Sequence, residues 1–207
     1  MTFLQGRVFR TLDFDIENRP LSYWVPEIPT AEITSIASCW ADDLGSMQVD
    51  LLGEMEGPEI LRRFCERYNQ ADMVTGHYIR MHDLPIINAM LMEARLPLLT
   101  DKLTCDTKLD MMRKADLPAT QEFLLETLDV RDVYGQPCKK FHVSQSDWRE
   151  ANRLTPKGLA ITRARVSSDV FDHMQLRKKM VSLGMLRAPS VWRPGGTANV
   201  SIGRTHD

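Results

Sequence analysis

The apolar residues of this chain change their spacing near residue 57, and that change restricts the fold more than any other feature. Before it, segments rich in β-branched and aromatic residues predict strands with short connections, which favours an antiparallel meander. After it, apolar residues recur mainly at helical spacing. The predicted strands are 7–17, 21–25, 32–41, 46–53 and 71–76, and the predicted helices are 57–70, 83–96, 104–117, 118–130 and about 155–186. The pattern predicts an α/β fold with a mixed sheet flanked by helices.

Size and composition are those of a globular protein. The 207 residues are 43% hydrophobic and 26% charged, which is enough to bury one sizeable core. We predict one domain over residues 1–187, followed by a Gly- and Pro-containing tail over 188–207. The four cysteines form no CxxC pair, which argues against a zinc site and favours a reducing cytosol. No segment resembles a signal peptide or a membrane span.

The charges are distributed unevenly along the chain. Residues 1–138 carry 13 Lys and Arg against 23 Asp and Glu, whereas residues 139–187 carry 11 against 4. An acidic part joined to a basic segment can hold cations at one place and phosphate groups beside it. On charge alone, a solvated charged helix remains the simpler interpretation.

Two acidic residues stand out in the first predicted strand. Asp15 and Glu17 flank Ile16, and alternation along a strand places both acids on one face, together with Asp13. Three neighbouring carboxylates should repel one another unless a cation neutralises them, and a divalent metal ion has the oxygen preference to do so. An acidic strand end facing solvent is the alternative interpretation.

Two further acids open or occupy predicted helices. Asp83 precedes Leu84 and Pro85 at a helix start, where Asp is also a common N-cap. Asp169 lies in the last long helix, with Arg165 one turn before it and His173 one turn after it. Spacing alone does not exclude Asp172 on the adjacent stripe.

Taken in this order, the acids resemble those of the DnaQ-like, or DEDD, 3′–5′ exonuclease family of the RNase H-like superfamily. Further similarity lies in the strand EITSIASCWA, the block GHYIRMHDLPIINAML and the segment DTKLDMM. The resemblance extends over about residues 7–187 and is strongest to small stand-alone members, including bacteriophage-encoded ones. It implies an RNase H-like mixed five-stranded sheet, with an antiparallel meander plus parallel strands.

The resemblance also implies a site and an activity. Asp15, Glu17, Asp83 and Asp169 match the catalytic, metal-binding residues of the family, which hold two Mg²⁺ or Mn²⁺ ions. The implied reaction is 3′–5′ exonucleolytic hydrolysis of phosphodiester bonds in DNA replication, recombination or repair. Single-stranded DNA is the favoured substrate, RNA is possible, and no membrane is involved. The expected location is the cytoplasm of a bacterial or phage-infected host cell.

Two departures from the family pattern affect these expectations. Relatives carry a Tyr four residues, or a His five residues, before the last Asp, where this chain has Arg165 and Ala164. Arg cannot act as a general base because it stays protonated. His173 or His142 is the possible base, or the metal alone suffices, or the enzyme is slow. Tyr78 replaces the Asn that many relatives have after Gly-His.

Basic and aromatic residues near these positions are the expected nucleic-acid contacts. They are His77, Tyr78, Lys139, Lys140 and Arg165, with Lys157, Arg163 and Trp148 as further candidates. Two alternatives to a DNA exonuclease remain open. One is an inactive or weak RNase H-like nucleic-acid-binding module, which the missing Tyr or His favours. The other is an RNA-directed 3′–5′ exonuclease with the same chemistry.

Overall fold

A six-stranded mixed sheet forms the centre of the protein in a computed structural model that describes residues 9–20, 31–112 and 119–194. The strands are β1 (Thr11–Pro20), β2 (Ala31–Trp40), β3 (Asp43–Leu51), β4 (Met73–Gly76), β5 (Lys102–Asp106) and β6 (Ser190–Trp192). The helices are α1 (Gly57–Gln70), α2 (Asp83–Glu93), α3 (Gln121–Thr127), α4 (Gln145–Asn152) and α5 (Pro156–Ser182). None of the helices within the described residues is long and apolar enough to cross a bilayer.

The strand order is β3-β2-β1-β4-β5-β6, so the predicted antiparallel meander and the predicted parallel strands form one sheet. β1, β2 and β3 pair antiparallel as a meander, whereas β4 and β5 continue the sheet parallel to β1. The predicted RNase H-like α/β fold is therefore confirmed, with six strands among the described residues in place of the five predicted. The strand predicted over 21–25 lies outside the described residues.

The sixth strand comes from the segment that the sequence assigned to a tail. β6 pairs antiparallel with β5, with Leu103 opposite Val191. Part of the predicted tail thus completes the sheet. Only three residues take part, so the local pattern of apolar residues carried little signal for this strand.

The helix predicted over 104–117 is wrong for the residues that the structure describes. β5 runs through Asp106, and a turn follows it. The buried Asp106 side chain explains the turn, because its Oδ1 accepts hydrogen bonds from the backbone amides of Lys108 and Leu109, both at 3.0 Å. Such side-chain contacts to the backbone compete with helix formation.

Alternation along β1 separates the apolar core from the polar face of the sheet. Leu12, Phe14 and Ile16 are buried in the core with residues of α1 and α2. Asp13, Asp15 and Glu17 therefore lie on the opposite face, and α5 packs against β1 and β2. The sequence predicted this shared face, and the fold places it against the longest helix.

Gly76 ends β4 at a position with no room for a side chain. A Cβ atom there would lie 2.2 Å from Ile79 Cγ2 and 2.8 Å from the Phe14 carbonyl oxygen, so backbone would have to move. We expect Gly76→Ala to lower the free energy of unfolding by about 1–3 kcal/mol, measured by urea denaturation. Gly57→Ala is the matched control, since nothing lies within 4 Å of the added Cβ. An equal loss in both variants would contradict the steric explanation.

Candidate active site

Carboxylates from the sheet and from the longest helix meet on the polar face of β1. One oxygen from each of Asp15, Glu17 and Asp169 lies within 4.8 Å of the other two. Asp15 and Glu17 are partly buried on β1, and Asp169 is 4% exposed on α5. The fold thus joins three of the four predicted acids, although about 150 residues separate the strand from the helix.

The fourth predicted acid, Asp83, adjoins this cluster from the start of α2. Its Oδ1 accepts a hydrogen bond of 3.2 Å from the backbone amide of Ile16, the residue between Asp15 and Glu17. Its Oδ2 lies 3.4 Å from Nδ1 of His82. Asp83 is 2% exposed, so it fixes β1 to α2 from inside the protein.

Burial and mutual repulsion perturb the acids strongly. The pKa of Asp15 is raised well above its ordinary value, first by burial and then by the charges of Asp83, Asp169 and Glu17. Burial also raises the pKa values of Glu17, Asp83 and Asp169, against opposing effects of nearby basic groups. Carboxylates this close cannot all stay ionised without added positive charge.

The donor set fits a divalent cation. Hard oxygen ligands are what Mg²⁺ and Mn²⁺ prefer, and three such ligands converge here. Oδ1 of Asp169 is buried and has no hydrogen-bond partner among the described residues. An unpaired buried oxygen is costly, and a cation would satisfy it.

Two basic side chains share the cluster with the acids. Arg165 Nε lies 3.3 Å from Glu17 Oε1, and its Nη2 lies 3.0 Å from Asp169 Oδ2. Its Nη1 also donates to the carbonyl of Phe141. Lys140 Nζ lies 3.7 Å from Asp169 Oδ2. Both residues, which the sequence proposed as nucleic-acid contacts, thus touch the acids themselves.

The two candidate general bases lie in different environments. His173 is 3% exposed, and its Nδ1 lies 2.9 Å from Oδ1 of Asp13, while its Nε2 is buried without a partner among the described atoms. His142 is exposed, with Nε2 3.0 Å from Glu122 Oε1. Neither residue belongs to the group of converging carboxylates.

The sequence did not identify the partner of Asp13. Arg177 Nη2 lies 3.0 Å from Asp13 Oδ2, so Arg177 supplies the positive charge beside this fully buried acid, which His173 also contacts. A signal for Arg177 was present, because Arg165, Asp169, His173 and Arg177 follow one another at four-residue spacing along one stripe of α5.

The remaining predicted nucleic-acid contacts divide into structural and accessible groups. His77 bonds Thr107 and the carbonyl of Ala119, and burial lowers its pKa to about 3, so its ring is neutral at pH 7. Tyr78 has a positive φ of 74°, with Lys108 3.8 Å from the centre of its ring. Lys139 is exposed, and Trp148 is partly buried on α4.

Two further basic candidates are held by acids away from the cluster. Lys157 lies 2.9 Å from Asp147, and Arg163 lies 2.5 Å from Glu54. Both side chains are exposed, by 68% for Lys157 and 44% for Arg163. Asp172 bonds Ser168 at 3.3 Å, and burial raises its pKa to about 6. It does not belong to the group of converging carboxylates.

The sheet order defines an RNase H-like α/β fold, and the converging acids form a candidate metal centre on it. Among solved structures, the chain is similar to the family B DNA polymerase from the hyperthermophilic archaeon Pyrobaculum calidifontis, with a TM-score of 0.64 and 16% identity. The match covers 84% of this chain and 24% of the polymerase chain, so this chain spans about a quarter of that protein. At this identity the likeness shows the fold alone. No protein-family model and no curated protein matches the sequence.

Proposed function

We propose that this protein is a metal-dependent 3′–5′ exonuclease that hydrolyses phosphodiester bonds in single-stranded DNA. The proposal rests on the convergence of Asp15, Glu17 and Asp169 within 4.8 Å. Carboxylates this close together are typical of functional sites that bind cations. The DnaQ-like order of the four acids supports the same reaction, and so does a fold shared with part of a DNA polymerase.

Asp15, Glu17 and Asp169 would hold Mg²⁺ or Mn²⁺, with Asp83 assisting from α2. The family resemblance implies that two ions act during hydrolysis. When bound, such ions stabilise negative charge on the reacting phosphate and make water a better nucleophile at neutral pH. The chain itself contributes position: β1 and α5 hold the carboxylates at fixed spacing, and the Asp83 bond to the Ile16 amide fixes β1 against α2.

The general base of the proposed mechanism differs from the Tyr or His that the related family uses. Arg165 occupies the place of the family Tyr and cannot accept a proton. The buried imidazole of His173 is turned to Asp13. His142 directly follows Phe141, whose carbonyl accepts from Arg165, and lies two residues from Lys140, which touches Asp169. We propose His142 as the better candidate, because its exposed ring is accessible to water and substrate.

Substrate contacts would come from the basic segment beside the acids. Lys139 and Lys140 precede His142, and Tyr78 lies after β4 with an aromatic ring that can stack on a base. Phosphate contacts of this kind give affinity without sequence preference. The family resemblance implies a role for this reaction in DNA replication, recombination or repair. We propose that the protein acts in the cytoplasm of a bacterial or phage-infected cell.

The test is degradation of single-stranded DNA and RNA carrying a label at either the 5′ or the 3′ end, with Mg²⁺, Mn²⁺ or EDTA. We expect 5′-labelled DNA to shorten in single-nucleotide steps and 3′-labelled DNA to release labelled mononucleotide at once. Asp169→Asn is expected to abolish cleavage. Asp172→Asn, a buried acid three residues along the same helix, is the matched control and should retain it.

Other outcomes would replace the proposal with a specific alternative. Faster shortening of RNA would favour an RNA-directed exonuclease. Binding of DNA without cleavage in any metal would favour the inactive binding module, which the arginine at position 165 supports. Internal cleavage, giving fragments of mixed length from both labels, would overturn the exonuclease assignment.

A further inference from the structure

Arg165 holds the acidic cluster together in the way a metal ion would. Its guanidinium contacts Glu17 on β1 and Asp169 on α5, two of the three carboxylates that converge. These contacts join the sheet to the helix, and the Arg165 side chain is only 13% exposed. We infer that Arg165, with Lys140, takes the place of one divalent cation, so that the free protein binds a single Mg²⁺ or Mn²⁺ ion. The inference rests on the proposed metal-dependent function.

The contacts of Arg165 hold its guanidinium group in the place that a cation would occupy. Asp169 lies four residues after Arg165 on α5, so both side chains project from the same helix face. The third guanidinium nitrogen, Nη1, donates to the carbonyl of Phe141. A planar guanidinium with three separate acceptors is fixed in position and carries a permanent positive charge. A side chain so held competes with a cation for the same oxygens.

The charge balance of the cluster also favours a single bound divalent ion. When ionised, Asp15, Glu17, Asp83 and Asp169 carry four negative charges, and Arg165 and Lys140 supply two positive ones. One divalent ion then neutralises the site. Two ions would leave it with an excess of two positive charges before any phosphate enters, which like-charge repulsion disfavours.

The oxygens that remain free show where the single ion would bind. Both basic side chains approach Oδ2 of Asp169, whereas Oδ1 of the same carboxylate is buried and unpaired among the described atoms. Asp15 is the third of the converging carboxylates. An ion held by carboxylate oxygens other than Glu17 Oε1 and Asp169 Oδ2 would leave both Arg165 contacts intact.

The experiment is a titration of the metal-free protein with MnCl₂ in the absence of nucleic acid. Isothermal titration calorimetry gives the number of ions, and the electron paramagnetic resonance signal of free Mn²⁺ gives it independently. We expect one ion per chain for the wild type and two for Arg165→Gln. Arg163→Gln is the matched control, since it removes the same charge from the same helix, where Arg163 is exposed and binds Glu54. It should bind one ion.

Each remaining outcome overturns the inference. If the wild type binds two Mn²⁺ ions, Arg165 does not exclude an ion from the cluster. If Arg165→Gln binds one ion, the charge of Arg165 does not determine how many ions bind. Either result would leave a metal-dependent nuclease intact. Failure of the wild type to bind any Mn²⁺ would overturn the proposed function as well. A thermal unfolding curve for each variant confirms that the ions are counted on folded protein.

Discussion

Asp15→Asn is expected to lower the rate of DNA hydrolysis by about 1,000-fold, because it removes one charged ligand from the group of three that holds the metal. The change replaces one oxygen by an amide nitrogen and leaves the size of the side chain nearly unchanged. The loss should therefore reflect weaker cation binding and weaker stabilisation of the reacting phosphate. Initial rates with 5′-labelled single-stranded DNA, measured over a range of Mn²⁺ concentrations, separate these two contributions.

The same substitution is expected to stabilise the metal-free protein. The pKa of Asp15 is raised in the folded state by burial and by neighbouring carboxylates. A raised carboxyl pKa means that the folded protein binds more protons than the unfolded chain. The free energy of unfolding therefore falls as pH rises from the ordinary Asp value of 3.8 through the raised value. Asn has no charge to bury, so this loss at high pH should disappear.

Thermal unfolding in EDTA between pH 4.5 and 8.5 provides the measurement. We expect the wild-type melting temperature to decline toward pH 8.5 and that of Asp15→Asn to decline less. Adding Mn²⁺ should raise the wild-type value and leave the variant nearly unchanged, since a ligand stabilises the state that binds it. Asp42→Asn, at an exposed turn residue, is the control. A variant that is active, or less stable than wild type in EDTA, would contradict the assignment of Asp15.

Local patterns predicted the parts of the fold that repeat along the chain. Alternation in β1 placed Asp13, Asp15 and Glu17 on one face, and helical spacing located α1, α2 and α5. Patterns of this kind failed between residues 104 and 112, where Asp106 accepts hydrogen bonds from four backbone amides and ends a strand. A side chain that binds backbone from two loops leaves no periodic signal.

The sequence indicated which acids come together, but not the contacts that they make with basic side chains. The order of the four acids indicated which residues should meet, because it resembles a known family. The spacing of Arg165 and Asp169 indicated their ion pair, but the contact between Arg165 and Glu17 joins residues 148 positions apart. Such a contact depends on how α5 packs across the sheet, and no local pattern encodes that packing.

Asp13 shows how different the roles of neighbouring acids on one strand face can be. The sequence suggested that a metal ion would relieve repulsion among Asp13, Asp15 and Glu17. In the structure, Asp13 is fully buried and is bound by His173 at 2.9 Å and by Arg177 at 3.0 Å. Its partners lie one and two turns beyond Asp169 on α5. Asp13 therefore ties the strand of the site to the helix of the site.

Asp13→Asn is accordingly expected to lower the free energy of unfolding by about 3–5 kcal/mol, because it leaves Arg177 without its buried counter-charge. This is the opposite sign from Asp15→Asn in EDTA, although the two acids lie two residues apart on the same face. Urea denaturation at pH 7 in EDTA measures both. Glu59→Gln, which alters an exposed ion pair with Arg62, is the control and should change stability by less than about 1 kcal/mol. A loss for Asp13→Asn no larger than that of Glu59→Gln would mean that the bonds to His173 and Arg177 do not hold β1 against α5.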